Sequence, residues 1–514
     1  MKKRIGFILI GMVLWGFVQD FNPQSKEITS KFFPDLEIDI HTPAFKKNKG
    51  FTNYEELIAF LNMQQSKHSS VMSFRFIGKS QKGKAIPMVT LNKNSSEKKL
   101  KVWFQGGLHG DEMASTEGVL YILDKLLNDP NYSYLLNRLE IALVPMANID
   151  GYEKEDRYAA NGLDLNRDQT KLIIQESIFL KKAFSDFNAD IAVDFHEHRP
   201  YRKEYTQYGI MGITSRPDVM FMTSGNLNVP QKLRNYTNQK FVQNVKEELD
   251  KAGLVHREYL TPEKVMGDIH FNQGSNNARS SATSYALSNA VASLIEVRGV
   301  GLGRTSFKRR IQTTFLIGMS YLNSAYNNVD EVKEVLKSDL SPNELAVVTS
   351  KKQISTQPLT VIDLETASEM QIDVEVHNAS ISSPVLTRKR PMAYLLDASQ
   401  SALIEKLTIL GLKIETLPGN ILAEVETYTV NSFSKAVEMD EGVFEQKVKT
   451  EVHTKSLALP KGTYFVDMNQ ENASLAIEVL EPESANGFIR FGLLPTQLNA
   501  VLPIYRYLKN EKLF

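Results

Sequence analysis

Two hydrophobic periods divide the chain. Over residues 54–61 the apolar side chains Tyr54, Leu57, Ile58 and Leu61 recur every three to four positions, the spacing of a helix with one buried face. The runs at 74–77 and 86–91 are short, apolar and separated by turn residues, which predicts two strands joined as a hairpin. Residues 101–104 and 139–144 read as buried strands, and 115–127 between them is helical until Asn128, Asp129 and Pro130 end it. Further strands are expected at 191–195 and 293–297, with a helix over 239–252 between them. Strands alternating with helices predict an α/β fold, a mixed central sheet with flanking helices, whose functional groups collect at strand ends.

After about residue 340 the pattern changes. Short alternating segments follow at 359–362, 372–376, 423–430, 447–453, 463–466 and 488–491, interrupted by one helical stretch at 400–411. This predicts a mostly β C-terminal domain over 340–514, following an α/β domain over 25–335, with Ser341 and Pro342 in the link. A chain of 514 residues has room for both. The histidines of the second domain, His377 and His453, form no chemical cluster, so a packing or substrate-presenting module is expected there.

Composition narrows the choices. With 42% hydrophobic and 23% charged residues, the chain is an ordinary well-cored globular protein. Sixty basic and sixty acidic residues cancel, leaving no basic footprint for nucleic acid and no polybasic address for anionic membranes. Cysteine is absent, so any metal must be held by histidine and carboxylate. Residues 1–24 read as an export signal or N-terminal anchor: Lys2, Lys3 and Arg4 precede an apolar stretch, 5–18, that is short for a bilayer. Residues 15–20 lack an Ala-x-Ala-like cleavage pair, which leaves an uncleaved tether open. The expected location is periplasmic or secreted, with no stable membrane span beyond that segment.

Against this background His109 and Glu112 stand out, directly after the apolar run 102–104, together with His196 far downstream. Two ligands three residues apart can reach one ion from a single turn. A third arriving from a strand end leaves a fourth position for water, the arrangement of a hydrolytic zinc site. Manganese or cobalt would also bind two histidines and a glutamate. His198 shares a strand face with His196, whereas Glu197 points away.

The segments after Glu112 arrive in a telling order: Asn148, Asp150 and Tyr152, then Arg157, then Asp164, Asn166 and Arg167, then Asp194 and His196, then Glu296 and Arg298. This series resembles the zinc carboxypeptidase family of the carboxypeptidase A type, over roughly residues 50–310. Ile77, Gly83 and Ile86 are similar to the family's lead-in to the metal motif. The resemblance implies one zinc ion held by His109, Glu112 and His196, with Asp194 orienting a ligand and His198 lining the pocket. It implies Glu296 as the base that takes the proton of water and passes it to the leaving amine. It assigns Arg157 to the oxyanion, and Asn166 with Arg167 to the free C-terminal carboxylate of a peptide substrate. Tyr285 is expected to stand in for the family's mobile tyrosine, although it lies nearer to Glu296 than the family pattern places that residue. The gap from Glu112 to His196 is shorter than in digestive members, so the pocket walls are not carried over. Arg279 and the insert at 201–238, with Arg202, Lys203 and Tyr205, are candidates for those walls.

The expectation is therefore a bacterial exported metallocarboxypeptidase with an extra C-terminal domain. Alternatives are an N-acyl amino acid deacylase resembling the aspartoacylase group, a carboxypeptidase of cell-wall stem peptides, and a non-catalytic binding protein on a relic scaffold.

Overall fold

The structure, a computed structural model, describes residues 24–337 and 345–514. The expected export segment, but for its last residue, and the Ser341–Pro342 link lie outside these residues. The chain forms β1 (Met72–Lys79), β2 (Ala85–Leu91), β3 (Leu100–Gly106), β4 (Leu139–Val144), β5 (Ile191–His198) and β6 (Ile213–Ser215). It continues with β7 (Val219–Thr223), β8 (His256–Glu258), β9 (Leu260–Val265), β10 (Asp268–Gln273) and β11 (Val291–Arg298). Past residue 344 come β12 (Leu345–Asp363), β13 (Ser368–Lys389), β14 (Ala393–Leu396), β15 (Glu415–Thr416), β16 (Ile421–Lys435), β17 (Gln446–Leu459), β18 (Tyr464–Asp467) and β19 (Val501–Tyr507).

A mixed eight-stranded sheet, ordered β1-β2-β4-β3-β5-β11-β7-β8, carries the α/β part. Its middle strands β4, β3, β5 and β11 run parallel to one another, while β2 and β7 pair antiparallel on either side of them. Every residue of β5 and β11 is buried, as parallel strands covered on both faces require. The helices Met113–Asn128 and Phe307–Asn327 pack against each other and against this sheet. Gly118 permits that approach, since a Cβ there would lie 2.3 Å from Cγ2 of Thr314.

The expected helix at 54–61 extends over Tyr54–Lys67, begun by a reciprocal Asn53–Glu56 capping box. The stretch at 239–252 is helical only after a π-helical turn, Thr237–Val242. Residues 488–491 are not a strand: they form turns whose apolar side chains Phe488, Ile489 and Phe491 are buried. A helix the pattern did not predict, Ala473–Leu480, is buried at all eight positions and so shows no polar face to betray its period.

Sheet and core both cross the expected boundary near residue 340. The long hairpin β12–β13 enters a five-stranded sheet, ordered β6-β12-β13-β10-β9, by pairing with β6 and β10 of the α/β part. One buried apolar cluster contains Phe104 and Ile295 together with Tyr394, Leu475 and Ile504. The six-stranded antiparallel sheet β15-β18-β14-β19-β16-β17 is built on this shared core.

Candidate metal centre and cleft

The carboxyl ends of β3, β5 and β11 lie side by side in the sheet, and each delivers one part of the site. Beyond β3 the chain turns at Gly107 (φ 64), where a Cβ would stand 2.6 Å from Oγ1 of Thr116. The turn sets His109 and Glu112 just ahead of the helix Met113–Asn128. His196 arrives on β5. All three side chains are buried, and their ligand atoms lie within 4.8 Å of one another.

The imidazoles are oriented from behind. Nε2 of His109 donates to Oδ1 of Asp164 at 3.1 Å, and Nε2 of His196 donates to Oδ2 of Asp194 at 2.9 Å. In the neutral imidazoles that a metal ion requires, both Nδ1 atoms are then the acceptor nitrogens, and they face each other at 3.0 Å. Glu112 adds its Oε1 at 2.7 Å from the first and its Oε2 at 2.8 Å from the second, the latter without the angle of a hydrogen bond. Lone pairs converging in this way repel unless a cation lies between them. Two nitrogens bound to tetrahedral zinc stand about 3.3 Å apart, close to the spacing found. The donor set fits a zinc ion, with the carboxylate-backed histidines that zinc sites commonly use. Burial opposes charge on His109, as does Arg157, but Glu112 and Asp164 still hold its pKa above the ordinary value. Burial would raise the pKa of Glu112; the two histidines instead hold it well below the usual carboxylate range.

Glu296 stands opposite His196 in the parallel register of β5 and β11, on the strand next to this candidate ligand. Burial, and then the charge of Glu112, push its pKa up to about 7 against the pull of His196, His109 and Arg157. It lines a cleft of about 1060 Å³ together with His109, Glu112, Arg157, Asn166 and Arg167. Residues 57–213 match the zinc carboxypeptidase family. Over that stretch the chain carries a zinc carboxypeptidase domain.

Among its relatives is "Carboxypeptidase 2" of Trichophyton rubrum, 29% identical over 528 residues that cover 98% of this chain and 97% of the relative. "Carboxypeptidase 2" of Trichophyton equinum is 28% identical, covering 96% and 95%. These full-length relatives are fungal and give no support to the bacterial origin expected. A solved metallo-carboxypeptidase from Burkholderia cenocepacia is 16% identical with a TM-score of 0.42, over 55% of this chain and 70% of that one.

The remaining candidate residues divide between cleft and core. Arg157 donates from Nε and Nη2 to Oδ2 of Asp164 at 3.2 and 2.8 Å, which brings its Nη1 to 3.2 Å from Nδ1 of His109. Asn166 accepts from the backbone N–H of Ser281 at 2.8 Å, which fixes its amide and leaves the NH2 as the free donor. Nη1 of Arg167 donates to the carbonyl of Asn166 at 2.9 Å. His198 lines the cleft, with Nδ1 donating to the carbonyl of Glu296 at 3.0 Å and Nε2 buried without a partner. Burial, and then the charge of Arg298, drive its pKa down to about 3. Arg298 turns away from the cleft, packing over the ring of Phe33 at 4.0 Å and donating to Gln24 and Thr214.

Tyr285 does not reach the cleft, which corrects its expected role. The helix Ser281–Leu287 directs it into the core, where its ring stacks on Phe184 at 4.2 Å and its hydroxyl lies 3.3 Å from Oε1 of Gln105. Two other tyrosines line the cleft, Tyr158 and Tyr259, the latter between β8 and β9 and near Glu296. From the expected wall, Arg202 lines the cleft, whereas Tyr205 is buried in a separate small cluster with Phe271. The sequence reading gave no role to Asp164, Tyr259, Lys352 or Glu441. Lys352 and Glu441 come from beyond residue 344, where nothing near them in sequence marks a site.

Proposed function

We propose that this enzyme hydrolyses the C-terminal peptide bond of peptides, with His109, Glu112 and His196 as ligands of one zinc ion and Glu296 as general base. The observation that carries this reading is the pairing of Glu296 with His196 across β5 and β11, which sets a carboxyl of pKa about 7 beside the ligand set. A general base works best when its pKa is near the working pH. Bound zinc supplies Lewis acidity, lowering the pKa of water and polarising the scissile carbonyl.

Glu296 takes a proton from the attacking water and delivers it to the leaving amine. Arg157, held by Asp164 at the edge of the ligand set, offers N–H groups to the oxygen that gains negative charge. Asn166 and Arg167 receive the terminal carboxylate, Arg167 through two parallel N–H donors, and so restrict cleavage to the last residue. Unpartnered Nε2 of His198 accepts a hydrogen bond from a backbone N–H of the substrate. A cleft of about 1060 Å³ suits a peptide better than a small acylated amino acid. The basic and apolar start of the chain supports action outside the cytoplasm.

The test is a mixed peptide library digested by zinc-loaded protein and by its Glu296→Gln variant. Stepwise loss of C-terminal residues is expected, with the variant slower by about 10²–10⁴-fold, as for loss of a general base. No shortening by protein that carries one metal per chain would overturn the proposal.

A further inference from the structure

The loop joining β16 to β17 ends in a two-residue turn. Asp440 and Val443 exchange backbone hydrogen bonds at 2.9 and 3.0 Å, and the residues between them, Glu441 (φ 45) and Gly442 (φ 78), both have positive φ. Such a turn favours Asn, Asp or Gly at its first central position, because a larger side chain strains the left-handed backbone. Glutamate is a poor local choice. Residues held in sparsely populated backbone regions cluster at functional sites, and here the longer side chain has a use.

Glu441 reaches across to the catalytic loop. Its Oε2 accepts the backbone N–H of Asp164 at 3.1 Å, its carbonyl accepts Nζ of Lys171 at 2.6 Å, and its side chain lines the cleft. Gly442 lies flush on the same segment, since a Cβ there would stand 2.9 Å from Cδ1 of Leu163. The residue so held, Asp164, is the one whose two oxygens orient His109 and Arg157.

We infer that Glu441 is a positioning residue of the catalytic centre, fixing Asp164 from the far end of the chain and, through it, the metal ligand His109 and the guanidinium of Arg157. The inference rests on the carboxypeptidase reading for its activity readout, but not for its metal readout.

Three zinc-loaded proteins test it: wild type, Glu441→Gln and Glu441→Asn. Glutamine keeps an acceptor oxygen at the same reach and is expected to stay within about twofold of wild type. Asparagine suits the turn but is one methylene short, so its melting temperature is expected to hold or rise. Its kcat, more than its KM, is expected to fall roughly 3–10-fold, and its zinc to pass to a chelator faster by a similar factor, somewhat less than for loss of a direct partner of a ligand. Wild-type kcat and chelator kinetics in Glu441→Asn would overturn the inference. A fall in its melting temperature that tracks the loss of activity would also do so, leaving a purely structural turn. If wild type cleaved no peptide at all, the carboxypeptidase reading would fail, and the chelator rates would still decide the role of Glu441.

Discussion

Glu296 shows how a single side chain can weaken a fold in the state that its proposed chemistry requires. In the folded protein without metal its carboxyl holds a proton up to about pH 7, against an ordinary 4.5, because burial and Glu112 oppose its charge. A raised carboxyl pKa penalises the folded state as pH climbs past the unfolded value; the penalty is complete above the folded value and absent below about 4.5. Metal-free Glu296→Gln is therefore expected to exceed wild type in stability by on the order of 2–3 kcal/mol at pH 8, with the gap closing toward pH 4.5. Urea titrations of both proteins at several pH values check this, and a gap independent of pH would refute it. The same scale shows what one-dimensional reading can find. His109 and Glu112 announce themselves because a single turn joins them, and His196 and Glu296 because each closes an apolar strand. Asp164 stays silent because its partner His109 is 55 positions away and no periodicity links them. Tyr285 misleads because proximity to Glu296 in sequence says nothing about the face a helix turns toward the core.

At the scale of elements, the placement of Glu112 depends on a helix pair. The helix that follows Glu112 approaches Phe307–Asn327 at Gly118, which has no room for a Cβ beside Thr314. Propensity alone makes Gly118→Ala stabilising by roughly 1 kcal/mol. Forcing a methyl into a packed contact costs about 1–3 kcal/mol and shifts the helices apart. The variant is expected to lose stability on balance and to lose activity with it, since the displaced helix begins at Glu112. A melting temperature above wild type would show that the contact yields. The elements of the α/β part that were legible, such as β3, β5 and the helix Tyr54–Lys67, are buried strands and one-faced helices with strong periods, whereas the long helix Phe307–Asn327 was not read. Ala473–Leu480 was not, being apolar all round. Nor were the full lengths of β12 and β13, 19 and 22 residues, since 349–358 of the first and 380–389 of the second contain no buried residue and so no period of burial.

For the whole molecule, composition and pattern suggest two units in series, whereas strand pairing and packing tie them together. Without residues 345–514, β6 and β10 would lose their neighbours β12 and β13. The shared cluster would lose Tyr394, Leu475 and Ile504 from among its buried members. The helix Lys26–Phe32 would lose Ile362 and Ala367, the partners of Ile28 and Phe33. Unpaired strand edges and a large uncovered apolar face both promote aggregation. A chain ended at residue 337 is therefore expected to be insoluble or to melt without a cooperative transition. The intact chain, sharing one core, is expected to unfold by urea in a single step reported alike by far-ultraviolet circular dichroism and by the fluorescence of the buried Trp103. Two separated transitions, or a soluble and cooperatively folded fragment that retains zinc, would instead show that the α/β part stands alone and that the C-terminal strands only rest against it.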